Sequence, residues 1–181
     1  MIQLMWGEAL AAIAKKKSDG TYEGFNKLPR CVENALQLST TKGEKKEAKV
    51  EGGGFEAVKY NANVYALAMS FRRGLENGKL RVFPFEDVDG VVDGIYALRV
   101  QPEDKESGGL AVMEVVISTE DTFTAADGAI KVVNFDFIKP DADEDGNKKP
   151  TIDWSPIPEL TAAFSVASAS PTKKGAGAVN V

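Results

Sequence analysis

KGEKKEAKVEGGGFEAVKYNANVYALAMSFRR, residues 42–73, falls into two halves of opposite character. The second half decides the fold class. Tyr65, Leu67, Met69 and Phe71 recur with period two, and the smaller Val64, Ala66, Ala68 and Ser70 stand between them. A strand turns successive side chains to opposite faces of its sheet, so this spacing gives one face of large apolar groups and one of small groups. The first half, 42–54, is charged at both signs and ends in Gly52, Gly53 and Gly54. It has little to bury and a backbone with few steric limits. The stretch reads as a polar loop feeding a well-specified strand. The strand is expected to anchor in the core and the loop to meet a partner.

On the N-terminal side, Val32, Leu36 and Leu38 alternate in part, and residues 31–40 read as a strand leading into the loop. Residues 1–17 read as a strand ended by the turn Ser18-Asp19-Gly20, with a helix as the alternative because 9–14 is rich in alanine. Residues 21–30 read as a loop broken by Pro29.

On the C-terminal side, Asn77-Gly78 signals a tight turn before a strand at 80–83. Pro84 followed by Glu86 and Asp87 suits the start of a helix, which Asp89-Gly90 and Asp93-Gly94 would limit to about two turns. Tyr96, Leu98 and Val100 mark a strand. The valine-rich run 110–118 reads as a strand buried on both faces, and 119–127 as a loop or turn. Along 129–138 the apolar alternation slips near Val133-Asn134, which suggests a bulge. Residues 139–150 form a charged loop, and Trp154 closes a last short strand at 151–155. The reading is mainly β: a β-sandwich or barrel of about seven strands with one short flanking helix. One domain is expected over 1–158, followed by a flexible Ala/Ser/Gly-rich tail over 159–181.

The balance of charges excludes several functions. The chain has 181 residues and a formal charge of −5, against the basic footprint that a nucleic-acid or membrane-surface binder needs. It contains no histidine, which removes the commonest general base and metal ligand. Its one cysteine, Cys31, cannot form an intrachain disulfide and reads as a small buried hydrophobe. No secretory leader or membrane span is legible. Catalytic residues are not expected, nor is a cofactor.

One motif suggests a ligand. Asp141, Asp143, Asp145 and Gly146 spell D-x-D-x-D-G, the opening of a calcium loop, but Ile152 stands where an EF-hand needs its bidentate glutamate. A solvated hairpin tip is the simpler reading. The alternative is a calcium-dependent β-sandwich that binds a glycan or a protein. Gly52, Gly53 and Gly54 lack the following lysine and helix of a phosphate cradle.

The run TTKGEKKEAKVEGGG (40–54) and the following KYNANVY (59–65) resemble major tail, or tail tube, proteins of long-tailed bacteriophages, of the type found in Bacteroidetes phages and prophages. Segments 87–100 and 126–140 are similar to the same group. The resemblance implies a β-sandwich or barrel with a flanking helix. It also implies hexameric rings stacking into a tube, which joins other tail proteins and lets DNA pass without specific binding. Such a protein belongs to the virion, after assembly in the host cytoplasm. In that family a long β-hairpin loop reaches a neighbouring subunit. Here its contact residues would be Lys42, Glu44, Lys45, Lys46, Glu47, Lys49, Glu51, Gly52, Gly53 and Gly54. Mixed charges of this kind set register against an identical neighbour, and head-to-tail contacts that close make a ring.

Overall fold

The computed structural model describes residues 9–102 and 108–155. Among them, every regular element is a strand. β1 (Leu10–Lys15) and β2 (Asn26–Lys27) come first. β3 (Gln37–Thr41), β4 (Lys45–Lys49), β5 (Phe55–Tyr60) and β6 (Val64–Arg72) follow. Two short hairpins come next, β7 (Leu75–Glu76) with β8 (Lys79–Leu80), and β9 (Asp87–Val88) with β10 (Val91–Val92). The chain continues through β11 (Tyr96–Gln101), β12 (Leu110–Thr124) and β13 (Gly128–Phe137).

One large antiparallel sheet has the order β2-β1-β11-β12-β13-β6-β3, and β10 takes up the edge of β12 beyond the end of β11. Alternation builds one core on one face of this sheet. β6 supplies Leu67, Met69 and Phe71, β13 supplies Val133, Phe135 and Phe137, and β1 supplies Ala11 and Ile13. The opposite face carries a smaller cluster at Ala12, Ala14, Ala97 and Phe25, and the Arg99 guanidinium lies 4.5 Å over the Phe25 ring.

The sequence expectations hold for β6 and β11. Of the strand expected over 1–17, Leu10–Lys15 is present as β1, and residues 1–8 lie outside the described residues. Several other expectations are corrected. No helix forms among the described residues. After Pro84 the chain enters the β9–β10 hairpin instead, because Asp89 and Gly90 both adopt positive φ (+50° and +86°), as a two-residue type I′ turn requires. The strand expected over 31–40 begins only at Gln37, since Asn34 turns the backbone at φ +56°. The strand expected over 80–83 ends at Leu80.

The valine run in β12 is not buried on both faces. A bulge opposite Tyr96 and Leu98 inserts an extra residue between Val112 and Val115, so the buried positions shift phase there. Past Ser118 the segment expected to be a loop continues as strand to Thr124, paired residue for residue with β13. β13 itself has no bulge, since its register against both neighbours is unbroken. Its apparent slip comes from Lys131, which takes a core-facing position and is only 1% exposed. Residues 151–155 make one isolated bridge, Ala111 with Asp153, rather than a strand. The tail expected over 159–181 lies outside the described residues.

Candidate assembly surface

The 42–54 segment is half of a two-stranded arm. Ladder pairs run from Gln37 with Ala68 to Thr41 with Val64, and the same register resumes at Lys45 with Tyr60 and continues to Ala48 with Ala57. β3 to β6 are therefore one ribbon, seated in the sheet at its base and free of it beyond. At the junction the Gly43 N–H donates to Asn63 Oδ1 (3.1 Å) and the Asn61 N–H to the Glu44 carbonyl (2.8 Å). At the tip, the Gly53 N–H donates to the Val50 carbonyl, and Gly52 and Gly53 adopt φ of +99° and +88°. These left-handed values are ones that glycine accepts and a β-branched residue does not.

Each named interface residue has a place on this arm. Lys42 and Glu44 stand at its root, Lys45, Lys46, Glu47 and Lys49 on β4, and Glu51, Gly52, Gly53 and Gly54 in the turn. All of β4 is exposed. The returning strand β5 went unread in the sequence, although Val58 and Tyr60 alternate with Lys59 there.

The two faces of the arm differ. On one, Lys45 is ion-paired with Glu47, Val58 and Tyr60 lie opposite, and the Lys42 ammonium sits 5.4 Å from the Tyr60 ring centroid. The other pairs Lys46 with Lys59 and Ala48 with Ala57. Like charges directly opposite each other destabilise a ribbon, and a two-stranded ribbon alone is marginal in water. An acidic surface laid on this face would relieve the repulsion, and the two alanines would let it approach closely.

The aspartate motif does not converge on a point. Asp143 accepts from the Asn147 N–H (2.7 Å), the Asp145 N–H (3.1 Å) and Asn147 Nδ2 (3.1 Å), and these bonds hold its carboxyl below the ordinary carboxylate range. Its oxygens serve the turn at Gly146. No group of three potential ligands gathers among the described residues. Burial pushes the Cys31 thiol upward, which disfavours its nucleophilic thiolate form.

Under the sheet's far end, Lys131 donates to Asp87 Oδ2 (2.8 Å) and to Thr119 Oγ1 (3.3 Å), with Asp121 Oδ2 at 3.5 Å. The Lys131 hydrogen bond is the largest cause of a lowered Asp87 pKa. This group fastens the β9–β10 segment to β12 and β13. No family model and no curated protein matches the chain.

Proposed function

We propose that this chain is a structural subunit that assembles with copies of itself into stacked rings, forming the tail tube of a long-tailed phage or prophage. The observation that carries the reading is the arm. It is a ribbon in register with the core sheet, with every residue of β4 exposed and a like-charged lysine pair on one face. Such a ribbon gains most of its order by lying on another subunit. On this reading the large sheet closes as a β-sandwich or barrel, and the rings are hexameric and pass DNA without binding it. The tube joins other tail proteins in the virion after assembly in the host cytoplasm. The subunit works by geometry and not by catalysis.

The resemblance of residues 40–54 and 59–65 to tail tube proteins supports the same reading, as does the acidic balance of the chain. An acidic wall repels phosphates and keeps a conduit from holding its cargo. Electron microscopy of the concentrated, purified chain tests it. Rings or tubes with a central channel are expected. Featureless single particles under every salt condition would count against it.

A further inference from the structure

Beside the root of the arm lies a groove whose lining comes from distant parts of the sequence. Lys59 and Tyr60 of β5 form one wall, and Lys139, Lys148, Lys149 and Trp154 form much of the other. Among the described residues, no carboxylate lines it. Trp154, 49% exposed, offers an apolar plate beside the four ammonium groups. The charge of Lys149 reaches Asp143 in the neighbouring turn. Among the described residues, no ion pair or hydrogen bond occupies the side chains of Lys59, Lys139 or Lys148. In a chain of net charge −5, this is a concentrated basic and aromatic site.

The complementary shape stands toward the other end of the same sheet. The β9–β10 hairpin presents Val88 and Val91 as a cross-strand pair, 74% and 63% exposed. Exposed Glu86 and Asp93 line one pocket with the pair, together with Lys15, Arg73 and Arg81, and exposed Asp89 stands in the turn between the two valines. The hairpin is held rigidly: the Thr119 N–H donates to the Gly90 carbonyl (2.9 Å), and a Cβ at Gly90 would lie 2.6 Å from the Thr119 carbonyl oxygen. Groove and hairpin both attach to β12, the first through Ala111 bridged to Asp153, the second through Ser118 paired with Val91. At strand rise that spacing is roughly 23 Å.

We infer that the groove receives the β9–β10 hairpin of a second copy of this chain, head to tail, with its valines against Trp154 and its carboxylates among the lysines. The contact is heterologous, since the two surfaces differ and sit toward opposite ends of the subunit, so it propagates or closes a ring. This deepens the assembly reading and rests on it in requiring that copies associate.

The test is a charge exchange measured by sedimentation of the full chain. Lys148→Glu/Lys149→Glu alone, and Glu86→Lys/Asp93→Lys alone, should each weaken self-association about a hundredfold, because each sets like charges against each other. An equal mixture of the two variants should restore association, since every contact between unlike copies again joins opposite charges. Restoration also shows that both variants fold. Wild-type-like association of either variant alone would overturn the proposal while leaving the assembly reading standing. Loss that mixing does not repair would overturn it too, as would short single-stranded DNA binding that only the groove variant loses while self-association persists. A wild-type chain that never associates would overturn both.

Discussion

Gly43 and Asn61 meet backbone to backbone at the root of the arm: a Cβ added at Gly43 would lie 2.0 Å from the Asn61 carbonyl oxygen. Gly43 does not take the left-handed conformation, so its requirement is for space alone. The two strands press together there as the ribbon leaves the sheet. Gly43→Ala must push them apart and break the neighbouring bond from the Asn61 N–H to the Glu44 carbonyl. Overpacking of this kind costs about 1–3 kcal/mol, and here it falls on the arm rather than the core. Hydrogen exchange should show the Asn61 amide losing protection while core strands such as β6 and β13 keep theirs. An Asn61 amide protected as in the wild type would refute this account of the junction.

The lysine pair on the arm makes a prediction with two signs. Lys46→Glu places a carboxylate opposite Lys59 and should stabilise the isolated arm by about 0.2–1 kcal/mol. The same change should weaken assembly, because the basic face is what an acidic neighbour meets. Cross-strand nuclear Overhauser contacts between residues 46 and 59 report the first effect, and sedimentation the second. Equal or stronger assembly would mean that the partner of this face is not acidic.

Lys131 and Asp87 give a dependence on pH. The folded Asp87 pKa is depressed, chiefly by Lys131 and also by Thr119 and Arg73. Its contribution to stability is therefore complete above the ordinary carboxylate pKa, about 4, and fades as pH falls through the lower folded value. Asp87→Asn should remove that dependence at all pH values. It leaves Lys131 with the Thr119 hydroxyl, the more distant Asp121 and the Phe83 ring, so about 3 kcal/mol is expected to be lost at neutral pH. Lys131→Met, which packs without charge, should cost less. Chemical denaturation at pH 7 and pH 3 checks all three proteins, and a mutant whose loss of stability on acidification matches the wild type would contradict the assignment.

Calcium should leave the melting temperature unchanged at millimolar concentration. The Asp143 oxygens already accept three hydrogen bonds from their own turn, and a cation would have to displace them. A ligand that binds only the native state raises its stability, so an upward shift on adding calcium would revive the binding-module reading.

The legible parts of the fold were those set by side-chain period and turn chemistry. Leu67, Met69 and Phe71 announced β6, and Asn77-Gly78 announced the β7–β8 turn with φ of +53° and +75°. Asp89-Gly90 carried the same signal, but Pro84 and its two acidic followers suggested a helix, and local propensity lost to pairing with β12. The end of β12 was hidden because Glu120, Asp121, Thr122 and Thr124 are exposed; pairing with β13 holds them, not burial. Lys131 read as a slip of period because a lysine on a core face is rare, and its partners Asp87, Thr119 and Asp121 are distant in the chain. The arm's first strand, β4, read as a loop because its charged residues have nothing to bury; pairing with β5 makes it a strand. The groove beside the arm was not legible, because Lys59, Lys139, Lys148 and Trp154 come together only after the ribbon and the 139–154 segment have taken their places.

The arm's role in assembly is tested most directly by the solution mass of two proteins across concentration: the full chain, and one in which residues 42–63 are replaced by Asn-Gly. That replacement closes Thr41 to Val64 with a two-residue turn and leaves the core intact. The account predicts that the full chain rises with concentration to a ring or tube mass, while the shortened chain stays folded and markedly smaller. Identical association of the two proteins, or a full chain that stays monomeric throughout, would contradict it.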